Sequence, residues 1–211
     1  MKTAITIGYS IDHTQRSKIT TLHNQLSLTF EVSDSKEKST ISTNLFGNYN
    51  IENIAAAMAV AEYFSIPFKT MRGAIENYIP SNMRSQIIKT KKNNTVVLDA
   101  YNSNPFSLKE ALEHFIKADV DNKIAIIGDM LELGDSSEEE HRAIVELSEK
   151  NTEIDFVFVG KEFKGVSNDK NAFYSNATDC VSQLKNKEIR DSNIFLKGSR
   201  GVALERLLPY L

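Results

Sequence analysis

The chain has very little of several residue types on which common protein classes depend. Its 211 residues include one cysteine, Cys180, no tryptophan, four prolines and four histidines. A single cysteine excludes a disulfide framework and a cysteine-based metal cluster, and the histidines are too scattered to suggest a metal site. No apolar run reaches the length of a membrane span and no signal-peptide pattern opens the chain, so we expect a cytoplasmic protein without a membrane span.

An excess of positive charge is also missing. The 25 lysines and arginines are outnumbered by 28 aspartates and glutamates, which gives a net charge of -3. Nucleic-acid-binding domains carry a basic patch, so we expect no nucleic-acid partner. Hydrophobic residues make up 41% of the chain and charged residues 25%, which is typical of a globular protein. With 211 residues, the chain is long enough to bury a core.

Two common nucleotide-binding signatures do not occur in the sequence. There is no Gly-x-x-x-x-Gly-Lys-Ser/Thr phosphate loop and no Gly-x-Gly-x-x-Gly fingerprint. No local spacing suggests a Ser–His–acid or Cys–His set either. Any catalytic activity must therefore depend on the loops that follow the strands, or on segments that are not among these 211 residues.

Residues 1–46 have the alternating pattern of β structure. The pattern predicts a hairpin or meander with one wet face, and Met1–Gly8 could add another strand. A charged turn at Ser33–Lys38 separates two alternating sets, which are Leu26, Leu28, Phe30 and Val32, then Ile41, Thr43 and Leu45.

Two helices are expected next. The first follows Gly47-Asn-Tyr-Asn50 and has one apolar face at helical spacing, and the second spans Phe68–Tyr78. The second ends before Pro80, a plausible hinge. We therefore assign residues 1–80 to part of a first domain, distinct from the one that follows. The apolar face of the first helix consists of Ile51, Ile54, Ala55, Met58 and Ala59.

From residue 84 onward, strands alternate with helices. This order predicts an α/β domain over residues 84–211, with a Rossmann-like, mostly parallel sheet and helices on both faces. Asn104 is a suitable N-cap with Pro105 behind it, and Ser137 with Glu140 forms a capping-box pattern. The predicted strands are 95–99, 123–127, 154–159, 172–174 and 193–197, and the predicted helices are 105–118, 137–150, 177–186 and 202–210.

Polar loops follow three of these strands. They are Asp99-Ala-Tyr-Asn-Ser-Asn-Pro105, Gly128-Asp-Met-Leu-Glu-Leu-Gly134 and Lys197-Gly-Ser-Arg200. In open α/β sheets, ligands bind outside the carboxyl ends of the strands, so these loops predict a small-molecule site.

Taken in series, these loops resemble segments of the Mur ligases, the ATP-dependent amide-forming enzymes of peptidoglycan assembly. The first two resemble Asp-x-Tyr-Asn-Ala-Asn-Pro and the loop that follows it in the family, and the third resembles a closing Lys-Gly-Ser-Arg segment. Gly47-Asn-Tyr-Asn50 with Asn53 resembles Gly-x-His-Asn-x-x-Asn, and Pro80–Gln86 resembles Pro-x-x-Gly-Arg-x-Gln. Two departures are Tyr49 in place of the histidine and Met83 in place of the glycine.

The resemblance implies that the chain is the C-terminal half of such a ligase. Residues 1–80 would be the incomplete, α+β tail of the central ATP-binding domain, and residues 84–211 the complete third domain. The missing N-terminal half would hold the phosphate loop and most ligands of Mg²⁺, so we expect the chain alone to be inactive. The loops favour the member that joins D-alanyl-D-alanine to UDP-N-acetylmuramoyl-tripeptide through an acyl phosphate.

The resemblance also implies roles for single residues, with no catalytic or metal-binding residue among them. Structural alternatives stay open for several of them: Asn50 as an N-cap, Asp129 and Glu132 as turn residues, and Tyr101 as a packing residue. His141, in the first turn of a predicted helix, is expected to be structural or at the surface. Two other functions stay open: a non-enzymatic nucleotide- or peptide-binding module, and a sister ligase that adds another amino acid. The implied ATP-binding residues are Asn50, Asn53, Arg84, Asp99, Tyr101 and Asn102, and the implied dipeptide-binding residues are Asp129, Glu132, Lys197, Ser199 and Arg200.

Overall fold

The computed structural model describes residues 7–14, 16–22, 26–33 and 38–211. The chain divides into two compact units, the first ending at Ile79 and the second spanning Pro80–Leu211. No helix in the described part of the chain is both long and apolar enough to cross a membrane.

The first unit contains an antiparallel meander of three strands. Strand β2 lies in the middle, and its Phe30 is paired with Thr21 on one side and Ile41 on the other. Of the expected strand at Met1–Gly8, residues 1–6 lie outside the described residues, as do residues 34–37 of the expected turn. The three strands are β1 (Lys18–Leu22), β2 (Ser27–Ser33) and β3 (Lys38–Phe46).

Two helices complete the core of this unit. Helix α1 spans Ile51–Tyr63 and follows the Gly47–Asn50 segment, as predicted. Helix α2 spans Phe68–Asn77, one residue shorter than predicted. Their apolar faces pack with strand residues in one buried cluster, as the 3.6-residue spacing predicts. The hydrophobic residues described in this unit that are fully inaccessible to solvent are Leu28, Phe30, Ile41, Phe46, Ala55, Met58 and Ala59.

The second unit is built on a six-stranded sheet. Its strand order is β4-β5-β9-β6-β7-β8. All neighbours are parallel except β4, which is antiparallel to β5. The strands are β4 (Gln86–Lys89), β5 (Thr95–Asp99), β6 (Lys123–Gly128), β7 (Asp155–Val159), β8 (Ala172–Tyr174) and β9 (Asn193–Lys197).

Helical segments cover both faces of this sheet. On one face, Phe115 stacks on Phe195 with ring centroids 5.3 Å apart. On the other, Cys180 packs in a cluster with Ile194 and Leu196. Successive strand residues point to opposite faces, so α3 and α6 lie on different sides. The helices are α3 (Pro105–Lys117), α4 (Ser137–Glu149), α5 (Lys161–Gly165) and α6 (Ala177–Leu184).

The strand order brings the three polar loops to one place. Strand β9 is inserted between β5 and β6, and its last residue, Lys197, is in register with Asp99 and Ile127. The connections between strands therefore run in opposite directions along the sheet at this point. Such a position is called the topological switch point, and open α/β sheets bind their ligands there.

Four features differ from the sequence-based expectations. Strand β4 and helix α5 were not predicted, because each is only four or five residues long and has no periodicity to detect. The predicted helix 202–210 is wrong: the chain forms two 3₁₀ segments, broken at Ala203 in the left-handed conformation and containing Pro209. The predicted capping box is also wrong, since α4 has Ser136 as its N-cap, and the Ser137 hydroxyl donates to Glu162 instead.

Candidate functional site

A buried ion pair lies where β5 and β9 end. The Nζ atom of Lys197 is 2.7 Å from Oδ2 of Asp99, and the two side chains are 4% and 13% exposed. The backbone N–H of Ser85 donates to Oδ1 of Asp99 at 2.9 Å. A carboxylate has about four acceptor positions, so Asp99 keeps some for a ligand. Lys197, expected to bind the dipeptide, points to Asp99 rather than to solvent.

Arg84 is stacked on an aromatic ring. Its guanidinium carbon lies 4.1 Å from the centroid of Tyr101, and both residues are exposed. Such a contact stabilises by about 0.5–1 kcal/mol at an exposed site. The residues on either side, Met83 and Ser85, have left-handed φ angles of 56° and 50°. Met83, which replaces the glycine of the family segment, thus adopts a backbone conformation that glycine favours.

An open cavity of about 450 Å³ lies beside this stack. Arg200 donates to the sulfur of Met83 at 3.1 Å, and Asn102 accepts from the N–H of Ser103 at 2.9 Å. Among the described residues that line the cavity none is acidic, and Arg84 stacks on one of them, so the local charge favours an anion. The cavity is large enough for a small ligand. Its lining residues are Asn82, Met83, Tyr101, Asn102 and Arg200.

Ser199 connects the three loops to one another. Its N–H donates to the carbonyl of Asp129 at 3.0 Å, and its hydroxyl accepts from the N–H of Leu131 at 2.9 Å. The hydroxyl also donates to the carbonyl of Ser103 at 3.5 Å. Ser199 is only 5% exposed. Its polar atoms therefore hold the loops together, which leaves little of the side chain for a ligand.

Asp129 holds the start of helix α5. Its two carboxylate oxygens accept from the N–H groups of Glu162 and Phe163, both at 3.0 Å. Gly160, with φ of 137°, lies against this carboxylate so closely that a Cβ would be 2.0 Å from Cγ of Asp129. Burial raises the pKa of Asp129, although the two backbone hydrogen bonds oppose that shift. These contacts favour the structural alternative for Asp129.

His141 lies next to Asp129 and is fully buried. The N–H of Met130 donates to its Nε2 at 3.1 Å, and its Nδ1 is 2.6 Å from the carbonyl of Ser137. Assigned from these partners, the ring is neutral with its proton on Nδ1. The 3.8 Å approach of Nε2 to Asp129 is therefore not a hydrogen bond, and His141 has a structural role.

Glu132 is the acidic residue of this loop that faces solvent. It is exposed and has a left-handed φ of 69°. Together with Glu162 it lines a second, smaller cavity of about 170 Å³. The structure thus separates the two predicted acids of the loop, because Asp129 is buried among backbone N–H groups while Glu132 can meet a cation.

Asn50 and Asn53 belong to the first unit. Asn50 occupies the N-cap position of α1, and its side-chain amide donates to the carbonyl of Phe46 at 2.8 Å. Asn53 donates to Oδ1 of Asn50 at 3.3 Å. The two amides therefore form one small network at the start of the helix.

The arrangement fits a nucleotide better than a metal ion. Within the described ranges, no three or more His, Cys, Asp or Glu side chains converge on a common point. Arg84 and Asp99 instead offer a cation and a carboxylate acceptor, which match phosphate and ribose groups. Sequence reasoning missed the contributions of Ser85 and Asn82, because a backbone N–H and a loop position leave no signal in a residue pattern.

Comparisons with protein-family models and with curated proteins point to the same family. The model of the family "Mur ligase, glutamate ligase domain" matches residues 83–200. A UDP-N-acetylmuramoyl-tripeptide–D-alanyl-D-alanine ligase of Bacillus subtilis is 30% identical over 182 residues, covering 79% of this chain and 38% of the relative. The Treponema pallidum enzyme of the same name is 32% identical over 174 residues, covering 78% and 37%.

Solved structures share the fold. MurF from Acinetobacter baumannii superposes with a TM-score of 0.73 at 23% identity, covering 92% of this chain and 44% of that one. MurF from Thermotoga maritima in complex with ADP gives 0.71 at 21%, covering 92% and 45%. The chain spans about two fifths of the length of the curated relatives that it matches. With the family model matching more than half of its residues, the chain belongs to the Mur ligase family.

Proposed function

We propose that this chain supplies the dipeptide site and part of the ATP site of a ligase that joins D-alanyl-D-alanine to UDP-N-acetylmuramoyl-tripeptide. The observation that carries the proposal is a cavity at the switch point of the sheet that Tyr101 and Arg200 line. Arg84 stacks on the Tyr101 ring, and the Asp99 carboxylate lies at the end of the same strand. The relatives of about 30% identity carry the name of this activity, which supports the choice within the family.

The proposed reaction has two steps. The tripeptide carboxylate attacks the γ-phosphate of ATP, which gives an acyl phosphate and ADP. The amine of the dipeptide then attacks the acyl carbon, and the tetrahedral intermediate loses phosphate to leave the amide. Both steps need cations near the developing negative charge and precise alignment of the reacting groups.

In this proposal the residues of the second unit are of two kinds: ligands, which contact ATP, and supports, which hold the loops in place. Arg84 faces the phosphates, and the remaining acceptor positions of Asp99 take the ribose hydroxyls. Tyr101 and Asn102 contact the nucleotide from the β5 loop. The supports are Lys197, Ser199 and Asp129, whose polar atoms are engaged with the chain itself.

The dipeptide is assigned to the exposed charges of the other loops. Arg200 binds the dipeptide carboxylate, since a guanidinium can pair with both carboxylate oxygens. Glu132 meets the ammonium group, because it is the exposed acid of the β6 loop.

The β- and γ-phosphates and Mg²⁺ need further residues. The 211 residues contain no phosphate loop. We therefore expect that the chain, supplied with ATP and both substrates, releases no ADP. Release of ADP under these conditions would contradict the proposed division of the site.

The dipeptide site can be tested by calorimetric titration with D-alanyl-D-alanine. We expect binding that is stereoselective, so L-alanyl-L-alanine should give no comparable heat. Arg200→Ala should lose the binding, because the carboxylate loses its bidentate partner. Arg206→Ala is the matched control, since Arg206 is an exposed arginine of the following 3₁₀ segment and should bind as the unmodified chain does. Equal binding of both stereoisomers would contradict the assignment.

The nucleotide site can be tested by titration with ADP. Arg84→Ala should weaken ADP binding about tenfold, because it removes a charge-assisted contact to phosphate. Arg142→Ala provides the control, because Arg142 pairs with Glu138 at the surface of α4. If Arg84→Ala and Arg142→Ala bind ADP equally well, Arg84 is not a nucleotide ligand.

A further inference from the structure

We propose that Lys197 is a positioning residue that holds Arg84 in place through Asp99. The proposal rests on the proposed function, since it explains how the cation assigned to the phosphates acquires a fixed position. It also replaces the expected role of Lys197 as a direct ligand.

The first step in the argument is the burial of the pair. Backbone and side chain together, Lys197 is only 3% exposed. Its ammonium group donates to Asp99 at 2.7 Å and lies 3.4 Å from the carbonyl of Asn102. A ligand in solution cannot reach an ammonium group in this position without displacing Asp99. The charge of Lys197 therefore acts on the chain, where it pairs with Asp99 and fixes the direction of its carboxylate.

The second step connects Asp99 to the segment that carries Arg84. The N–H of Ser85 donates to Oδ1 of Asp99, and a hydrogen bond to an ionised carboxylate is about twice as strong as a neutral one. Ser85 has a left-handed φ of 50°, a conformation that a serine adopts only when its surroundings hold it there. The Asp99 carboxylate provides such a restraint directly next to Arg84.

The third step concerns the surface on which Arg84 lies. Tyr101 follows Asp99 by two residues, so the ring under the guanidinium and the restraint on Ser85 both originate at the end of β5. Lys197 also approaches the carbonyl of Asn102, directly after Tyr101. One buried ammonium group thus fixes both the segment that carries the guanidinium and the ring that supports it.

The consequence is a preorganised cation. Arginine side chains lose rotamer freedom when they bind, and a side chain that is already ordered pays less of that cost. Lys197 therefore raises the affinity for an anionic ligand without touching it.

Nuclear magnetic resonance can measure the position of Arg84 without any ligand. The Nε–H resonance of an arginine stacked on a tyrosine is displaced by the ring current, and Tyr101→Leu gives the reference position without that displacement. In Lys197→Met we expect most of the displacement to be lost. Lys170→Met should keep it, because Lys170 pairs with Glu149 elsewhere in the second unit. An unchanged Arg84 resonance in folded Lys197→Met would overturn the proposal.

Lys197→Met leaves Asp99 buried without its partner, so this variant could fail to fold. The double variant Asp99→Asn with Lys197→Met replaces the pair by two neutral side chains of similar size. It should also move the Arg84 resonance toward the Tyr101→Leu position. A wild-type resonance in the folded double variant would likewise overturn the proposal.

An ADP titration separates this proposal from the function on which it rests. If the unmodified chain binds ADP, Lys197→Met should bind about tenfold more weakly. Wild-type affinity together with a displaced Arg84 would overturn the link between position and affinity. If the unmodified chain does not bind ADP, the nucleotide site fails, but the resonance of Arg84 still decides whether Lys197 positions it.

Discussion

Ser103 carries a hydroxyl that the site does not use. The residue is 3% exposed, and within the described residues its Oγ has no hydrogen-bond partner. The family segment that the loop resembles has alanine at this position. A buried hydroxyl without a partner costs about 1–3 kcal/mol, so Ser103→Ala should raise the free energy of unfolding by about 1 kcal/mol. Urea denaturation would show this as a higher midpoint with an unchanged slope.

Ser199→Ala is the natural comparison for Ser103→Ala. It removes a hydroxyl that accepts from the N–H of Leu131, so a part-buried donor loses its partner. We expect the free energy of unfolding to fall by about 1–3 kcal/mol. If both serine variants changed stability in the same direction, the difference between a satisfied and an unsatisfied hydroxyl would not explain either result.

Single residues of the site could be located from the sequence, but their partners could not. Asp99 and Lys197 each follow a short apolar run, which is why a strand-end position was predictable for both. That they face each other depends on the insertion of β9 between β5 and β6, a pairing 98 residues apart in the chain. Similarly, nothing in the sequence around Asp129 indicates that α5 begins against its carboxylate.

At the scale of elements, the start of α1 depends on Gly47. This glycine has a φ of 87°, and a Cβ on it would lie 2.3 Å from the ring of Tyr49. Gly47→Ala should therefore destabilise the first unit by about 1–2 kcal/mol from the backbone alone, with a further loss from the displaced ring. Differential scanning calorimetry would measure the loss as a lower transition temperature.

Gly165→Ala is a suitable control for Gly47→Ala, since a Cβ on Gly165 meets nothing within 4 Å and its φ is not positive. The double variant Gly47→Ala with Tyr49→Ala separates the two causes. If it recovers full stability, the clash with the ring accounts for the whole effect; if it recovers only part, the left-handed backbone accounts for the rest. Wild-type stability of Gly47→Ala alone would contradict both.

The elements themselves were predictable where periodicity was long enough to detect. Helices α1, α3 and α4 each have 13 residues, and the central strands are apolar runs bounded by polar loops. The failures were all short or irregular. The single-turn α5 follows Gly160 with no pattern of its own, and the last segment has helical spacing but contains Pro209, which cannot donate a backbone hydrogen bond.

At the scale of the whole molecule, the one thiol of the chain reports on the core of the second unit. Cys180 is fully buried among the residues that join α6 to the sheet, and burial raises its pKa to about 12. Alkylation requires an exposed thiolate. Iodoacetamide should therefore modify the folded chain very slowly near neutral pH and rapidly in urea. Fast modification without denaturant would indicate that this core opens readily.

The same thiol makes the stability of the second unit depend on pH. The unfolded thiol ionises near its ordinary pKa of 9.0, whereas the folded one keeps its proton until about 12. Because the folded state binds the extra proton, the stabilising contribution is complete below pH 9.0 and is lost as the pH rises toward 12. The loss approaches about 1.4 kcal/mol per pH unit. Urea unfolding from neutral pH to about 10 should show this extra slope in the unmodified chain but not in Cys180→Ala, in which nothing titrates at that position. Equal slopes would mean that Cys180 is not held in a core of low dielectric.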